Sequence, residues 1–333
     1  MHPAILGIVT IVIGVSGCLA YFYFSNVLLD KVLFPARGPN AGRNINRANM
    51  IRPWLFLFPA LFALTMYLAY PVFETLRLSL TDRSQGGAFV GAANYTQMLA
   101  EPKFWEAMRN NMLWLIVVPA LSTAFGLLVA QLTDRLRWGN IAKSLIFMPM
   151  AISFVGASVI WKLVYDARPA GTEQIGILNA LYIWFGAAEP AQWLTMPFWN
   201  NFFLMAVLIW IQTGFAMVIL SAALRGIPEE TIEAAIVDGA GPFTIFFKIK
   251  VPQIIGTIVV VWTTITITVL KVFDIVFAMT NGQWETQVLA NYMYDKLFRA
   301  NDWGVGSAAA MVIMLLVTPI LVWNVWNARK EMR

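Results

Sequence analysis

Long apolar runs alternate with polar connectors along this chain, and the alternation sets its plan. The runs cover residues 5–29, 54–72, 112–131, 144–164, 200–224, 253–273 and 305–326. Each approaches the roughly 20 residues that an α-helix needs to cross a bilayer. Backbone amides find no water in hydrocarbon, so such runs are expected to be helices, and the fold to be all-α and polytopic with about seven transmembrane helices. The first connector, 30–52, sets Gly38, Pro39, Asn40, Gly42, Asn44 and Asn46 among basic residues, which is linker chemistry. It divides the chain into an accessory first helix with a basic linker (1–52) and a six-helix core (53–333). Residues 73–109 are polar enough for a small cap or loop. In 174–186, Ile175, Ile177, Leu178, Leu181, Tyr182 and Phe185 recur at near-helical spacing, which predicts a short helix lying along the interface.

Composition agrees with lipid as the solvent. Of 333 residues, 59% are hydrophobic and 12% charged, against roughly 25% charged in an average soluble domain. Sorting Lys and Arg by connector puts fourteen on one side of the spans and eight on the other, with Lys271 inside a span. The positive-inside rule then places the N-terminus outside, the C-terminus in the cytoplasm, and the connector at 226–252 in the cytoplasm. The run Val15-Ser16-Gly17-Cys18 resembles a lipoprotein cleavage box. However, residues 1–5 lack Lys and Arg and the run stays apolar after the cysteine, so a retained helix is expected. The single Cys18 and single His2 exclude a His/Cys metal site. No dense basic block offers a nucleic-acid surface.

The 226–252 connector carries the sharpest chemistry. Gly226 breaks the preceding run, Pro228 suits a first helical turn, and Glu229 and Glu230 complement the positive end of a helix dipole. Glu233, Ala234, Ala235, Ile236 and Val237 continue that helix. Gly239 and Gly241 interrupt it, Pro242 starts a second short helix through Lys248, and Pro252 suits entry to the next span. Small residues on such a face let another surface approach closely, and Glu233 offers one charge for orientation.

Glu233, Ala234, Ala235, Asp238 and Gly239, followed by Ile249, Val251 and Pro252, resemble the cytoplasmic loop by which permease subunits of bacterial ABC importers hold their ATPase. Val251 stands where the family usually has Leu. Phe89-Val90-Gly91-Ala92-Ala93-Asn94-Tyr95, Pro102-Lys103-Phe104-Trp105, Asn110-Asn111, Trp210, Ala223 to Pro228 and Thr280-Asn281-Gly282 extend the resemblance over 53–333. It is closest to the maltose-type, first-subunit class of type I importers, and within it to α-glucoside permeases. The resemblance implies an inner-membrane permease for an oligosaccharide such as maltose, sucrose or trehalose. Its implied partners are a second homologous permease, two ATP-binding subunits and a periplasmic or lipid-anchored binding protein. It also implies ATP and Mg on the partner ATPase and no cofactor or catalytic residue in this chain. The sequence holds no G-x-x-x-x-G-K-[ST] loop to cradle phosphate. Alternatives are a permease for another small polar solute and a secondary transporter, which would need acids at the bilayer midplane.

A neutral sugar needs aromatic faces and neutral hydrogen-bonding groups. The spans flanking the loop offer Trp210, Gln212 and Phe215 on one side, and Thr264, Thr268 and Lys271, spaced i, i+4, i+7, on the other. Lys271 and Asp274 are spaced to pair on one helix. The maltose-binding positions of the related permease fall near Ile211, Gln212, Phe215, Ile265, Thr268, Val269 and Val272, most of them apolar here.

Overall fold

The computed structural model describes residues 3–82, 86–134 and 136–331. The chain divides into two compact units, Met1–Glu74 and Thr75–Arg333.

In the first unit, α1 (Pro3–Val27) continues through a π-helical turn, Leu28–Leu33. After a short irregular stretch α2 (Ala41–Leu64) begins, and it runs through the turn Thr65–Ala69 into α3 (Tyr70–Ser79). The expected linker is therefore mostly helix: Gly42, Asn44 and Asn46 lie in the first turns of α2, and only 34–40 is non-helical. The hydroxyl of Tyr21 donates to the Leu55 carbonyl at 2.8 Å, and Arg52 pairs with Asp30 at 2.6 Å.

The second unit opens with the end of α3, followed by a two-stranded hairpin, β1 (Thr81–Asp82) against β2 (Ala88–Phe89), and α4 (Ala93–Ala100). Next comes α5 (Pro102–Thr133), ten residues longer at its start than the apolar run because Pro102 nucleates it in polar sequence. The predicted span 144–164 is two helices. α6 (Gly139–Phe147) ends in a 3₁₀ turn, Met148–Ala151, and α7 (Phe154–Val164) leaves at 107° to it. Pro149 tightens the turn, and the Ser153 hydroxyl caps α7 by accepting from the Gly156 amide at 3.1 Å. The short helix expected within 174–186 is α8 (Ile177–Trp184).

α9 (Trp199–Arg225) is the centre of the core. Leu204, Leu208, Met217 and Leu220 are fully buried there, in one apolar cluster with Trp114 and Val118 of α5. The two helices pack together more extensively than any other pair. The approach is close at Gly126, where a Cβ would meet the Ala216 side chain and lie 2.8 Å from the Met217 amide. At Gly214 a Cβ would lie 2.7 Å from the Ile146 carbonyl of α6.

The polar connector then forms α10 (Glu229–Val237), α11 (Pro242–Thr244), a π-helical turn Ile245–Lys250, and α12 (Val251–Gln253). α13 (Ile255–Leu270) leaves at 71° to the helical stretch Pro242–Gln253. The predicted span 253–273 thus starts after a break at Ile254 and ends at Leu270. Asp274 opens a new helix, α14 (Asp274–Met279), so Lys271 and Asp274 share no helix and form no ion pair among the described residues. α15 (Leu289–Tyr294), a π turn Asp295–Arg299 and α16 (Trp303–Glu331) complete the chain. Among the described residues, five helical stretches are long and apolar enough to cross a membrane, and counting each bent pair as one span brings them to seven.

Candidate functional site

Two polar constructions lie at opposite ends of α9, which at 27 residues is about 40 Å long. At the Arg225 end is the predicted loop. Pro228 flanks α10 at its N-cap, with Glu229 and Glu230 in the first turn. Its end explains Gly239. The Ala240 amide reaches the Ala235 carbonyl at 2.9 Å and the Gly239 amide reaches that of Ile236 at 3.0 Å, a closure that needs the left-handed φ of +80° found at Gly239.

Glu233, Ala234, Asp238 and Gly239 are exposed, while Ala235 is buried and fastens α10. Val237 is 86% exposed, and beyond the glycines Phe243 is 81% and Phe247 62% exposed. Ile249 is half-buried and Pro252 exposed in α12, so Pro252 belongs to the second short helix and not to the following span. The segment thus presents a ledge of large apolar side chains beside two carboxylates, which suits association with another protein surface.

At the other end, residues 280–288 form a loop held by side chains. Asn281, Gly282, Trp284 and Glu285 all have positive φ. Asn110 of α5 donates to the carbonyls of Glu285 and Gln287, both at 2.8 Å. Asn200 of α9 donates to the Trp284 carbonyl at 2.6 Å, and Asn201 to that of Glu285 at 3.2 Å. Asn111 accepts from the Leu289 amide at 2.7 Å, and Glu106 from the Gln287 amide at 3.1 Å. Beside the loop, the buried Tyr292 hydroxyl donates to Glu101 at 2.8 Å. Burial first, then this carboxylate, push the Tyr292 phenol well above its ordinary range, so it stays a donor. In the sequence Asn110-Asn111 shows only as part of the family resemblance, and Asn200-Asn201 only as a paired Asn near the start of an apolar run.

The solute-path candidates separate into two sets. Trp210 lines a cleft of about 650 Å³ with Val117, Leu121, Phe125, Ile209 and Thr213, an apolar surface, and its ring meets Trp161 edge-on at 5.8 Å. Gln212 lies on another face of α9 and is buried. No group among the described residues hydrogen-bonds its amide. Thr268 and Lys271 share a small recess with Leu208, which is one turn before Gln212. Thr264 is exposed one turn before Thr268. Phe215 is partly buried against the core. The hydroxyls of Thr264 and Thr268 donate to the carbonyls of Val260 and Thr264 at 2.8 and 3.2 Å, leaving their lone pairs free to accept.

Apolar helices long enough to cross a membrane, joined through an exposed connector of short helices, are the layout of a membrane transport permease. The family model described as "Binding-protein-dependent transport system inner membrane component" matches residues 122–332, and the chain belongs to that family. It is 64% identical to the "Alpha-glucoside transport system permease protein AglF" of Rhizobium meliloti (strain 1021), over 99% of both chains. It is 49% identical to the "Osmoprotective compounds uptake permease protein GgtC" of Synechocystis sp., over 84% of this chain and 100% of that one. Its fold matches a chain of a bacterial ABC transporter involved in the import of the acidic polysaccharide alginate. That match has a TM-score of 0.72 and 19% identity, over 87% of this chain and 99% of that one.

Proposed function

We propose that this chain is a translocating subunit of an ATP-driven importer for an oligosaccharide of the α-glucoside class. The ledge of Val237, Phe243 and Phe247 beside Glu233 carries the reading, because it is a protein-docking surface that a self-sufficient carrier would not need. The 64% identity to the AglF permease, over nearly all of both chains, supports the sugar class. ATP and Mg²⁺ belong to two partner ATP-binding subunits seated on the ledge. A second, homologous permease completes the pore, and a sugar-binding protein delivers solute on the far side. In this reading the N-terminus is outside and the C-terminus cytoplasmic, as the Lys and Arg distribution suggests. Residues 1–52 are an accessory element and 53–333 the translocating core.

Closure of the ATPases brings their permease-bound surfaces together, and the ledge passes that motion into α9 and α13, whose ends it joins. The buried Gln212 amide, with Thr264 and Thr268 of α13 and Lys271 just past its end, supplies neutral and cationic groups for sugar hydroxyls, Phe215 lies one turn along α9 from Gln212, and Trp210 offers aromatic surface in the separate cleft. A second reading, uptake of another small polar solute, has support in the 49% identity to GgtC. Reconstituting the complex with its binding protein and measuring uptake of labelled trehalose, sucrose and maltose against glucosylglycerol tests the choice. Saturable uptake of an α-linked disaccharide is expected, and uptake of none of them would refute the substrate class. Replacing Gln212 and Thr268 together by Ala is expected to weaken apparent affinity, and unchanged affinity and selectivity would remove both from the path.

A further inference from the structure

We propose that Lys250 is a positioning residue for transport: it joins the ATPase-facing ledge to α5, so that motion of the ledge moves α5 together with α13. This rests on the proposed docking role of the ledge.

The observation is an inversion of the usual burial order. Within one short helical stretch, Phe243 and Phe247 face outward while Lys250 is turned in and is only 9% exposed. A lysine on a polar segment can normally extend its ammonium group to water, and burying a charge is costly unless it is bonded. The π-helical turn Ile245–Lys250 is what brings it in. Its wider winding aligns residues five apart, so Ile245 and Lys250 are both buried on the inner face. There the Lys250 Nζ donates to Oε1 of Gln131 at 3.1 Å, in the last turn of α5. The two side chains line a cavity of about 290 Å³ with Ile232, Ile236 and Phe246. This cavity leaves room for the ledge to shift against α5 while the bond holds.

The position matters mechanically. Lys250 lies four residues before the break at Ile254, where the chain turns by 71° into α13. One end of the ledge is thus covalently continuous with α13 and, through Lys250, hydrogen-bonded to α5. About 30 Å along α5, Asn110 and Asn111 hold the backbone of the 280–288 loop. A displacement of Gln131 therefore acts on a helix fixed to that loop.

The test uses the assembled transporter in proteoliposomes with its binding protein, and reads sugar moved per ATP hydrolysed. Lys250→Met keeps most of the stem and removes the donor. It is expected to lower the ratio about tenfold, the scale of one lost charged hydrogen bond. Co-purification of the ATPase should be unchanged, and Lys250→Arg should restore most of the ratio. Gln131→Leu, outside the ledge, should give a similar loss, and the double variant should be no worse than either single one. An unchanged ratio in Lys250→Met and Gln131→Leu would overturn the proposal, as would additive losses or loss of the ATPase from the complex. A wild-type complex without sugar-dependent ATP hydrolysis would overturn the proposed function and this inference with it.

Discussion

Replacing Phe243 by alanine isolates what the apolar ledge contributes to holding a partner. The side chain is 81% exposed, so its removal takes almost nothing from the core of this chain, and the subunit should reach the membrane in normal amount. Fully burying a Phe-sized side chain contributes about 1.5–3 kcal/mol. If the ATPase covers Phe243, alanine therefore weakens docking by about 2 kcal/mol, or roughly 30-fold in dissociation constant. Val237, at 86% exposed, should add a smaller loss of the same kind. The assay is titration of purified ATPase onto the permease in nanodiscs, with circular dichroism confirming an unchanged helix content. An affinity within twofold of wild type for Phe243→Ala and for the Val237→Ser, Phe243→Ala pair would show that the ledge is not the docking face.

Other consequences follow from the same geometry. Glu233→Lys reverses an exposed charge on the ledge, and Gly239→Asp forces a side chain onto a backbone at φ +80° with open space around it. The latter strains the turn by about 1–2 kcal/mol. Both should abolish most uptake while immunoblots show normal membrane levels, and normal uptake in both would contradict the coupling role. Gly126→Leu drives a side chain into Ala216 and the Met217 backbone, so the folded subunit should be lost, and normal detergent thermostability would contradict the close α5–α9 packing. Asn110→Ala removes two bonds to the backbone of the 280–288 loop, a loss of about 2–3 kcal/mol. Hydrogen exchange at 285–288 should rise by more than tenfold, and unchanged exchange would show that the clamp does not hold the loop.

Much of the fold is legible in the sequence because lipid leaves few choices. Apolar runs of span length must be helices, and a polar connector with Pro at helix starts and Gly at a helix end reads as two short helices from its residue types alone. The breaks are less legible. Pro149 and Ser153 sit in an apolar run that hydropathy reads as continuous, and only the 3₁₀ turn and the Ser153 cap reveal a 107° bend. The separation of Trp210 from Gln212 follows from helical phase, since two residues apart is about 200° around α9, whereas residue type alone groups them. Lys250 is the least legible. Its burial depends on a π-helical turn that no local residue preference announces, and by composition it belongs with the exposed basic residues. The Asn110, Asn111, Asn200 and Asn201 clamp is visible only once α5 and α9 bring their starts to the same loop.

The proposed function has this membrane subunit translocate a sugar by means of an ATPase on another chain. Its most direct test is the ATP hydrolysis rate of the complex purified through this subunit, with and without sugar-loaded binding protein. An ATPase should co-purify, and its turnover should rise several-fold only when the loaded binding protein is added. A stable complex that takes up solute with no ATPase bound would contradict the proposed function.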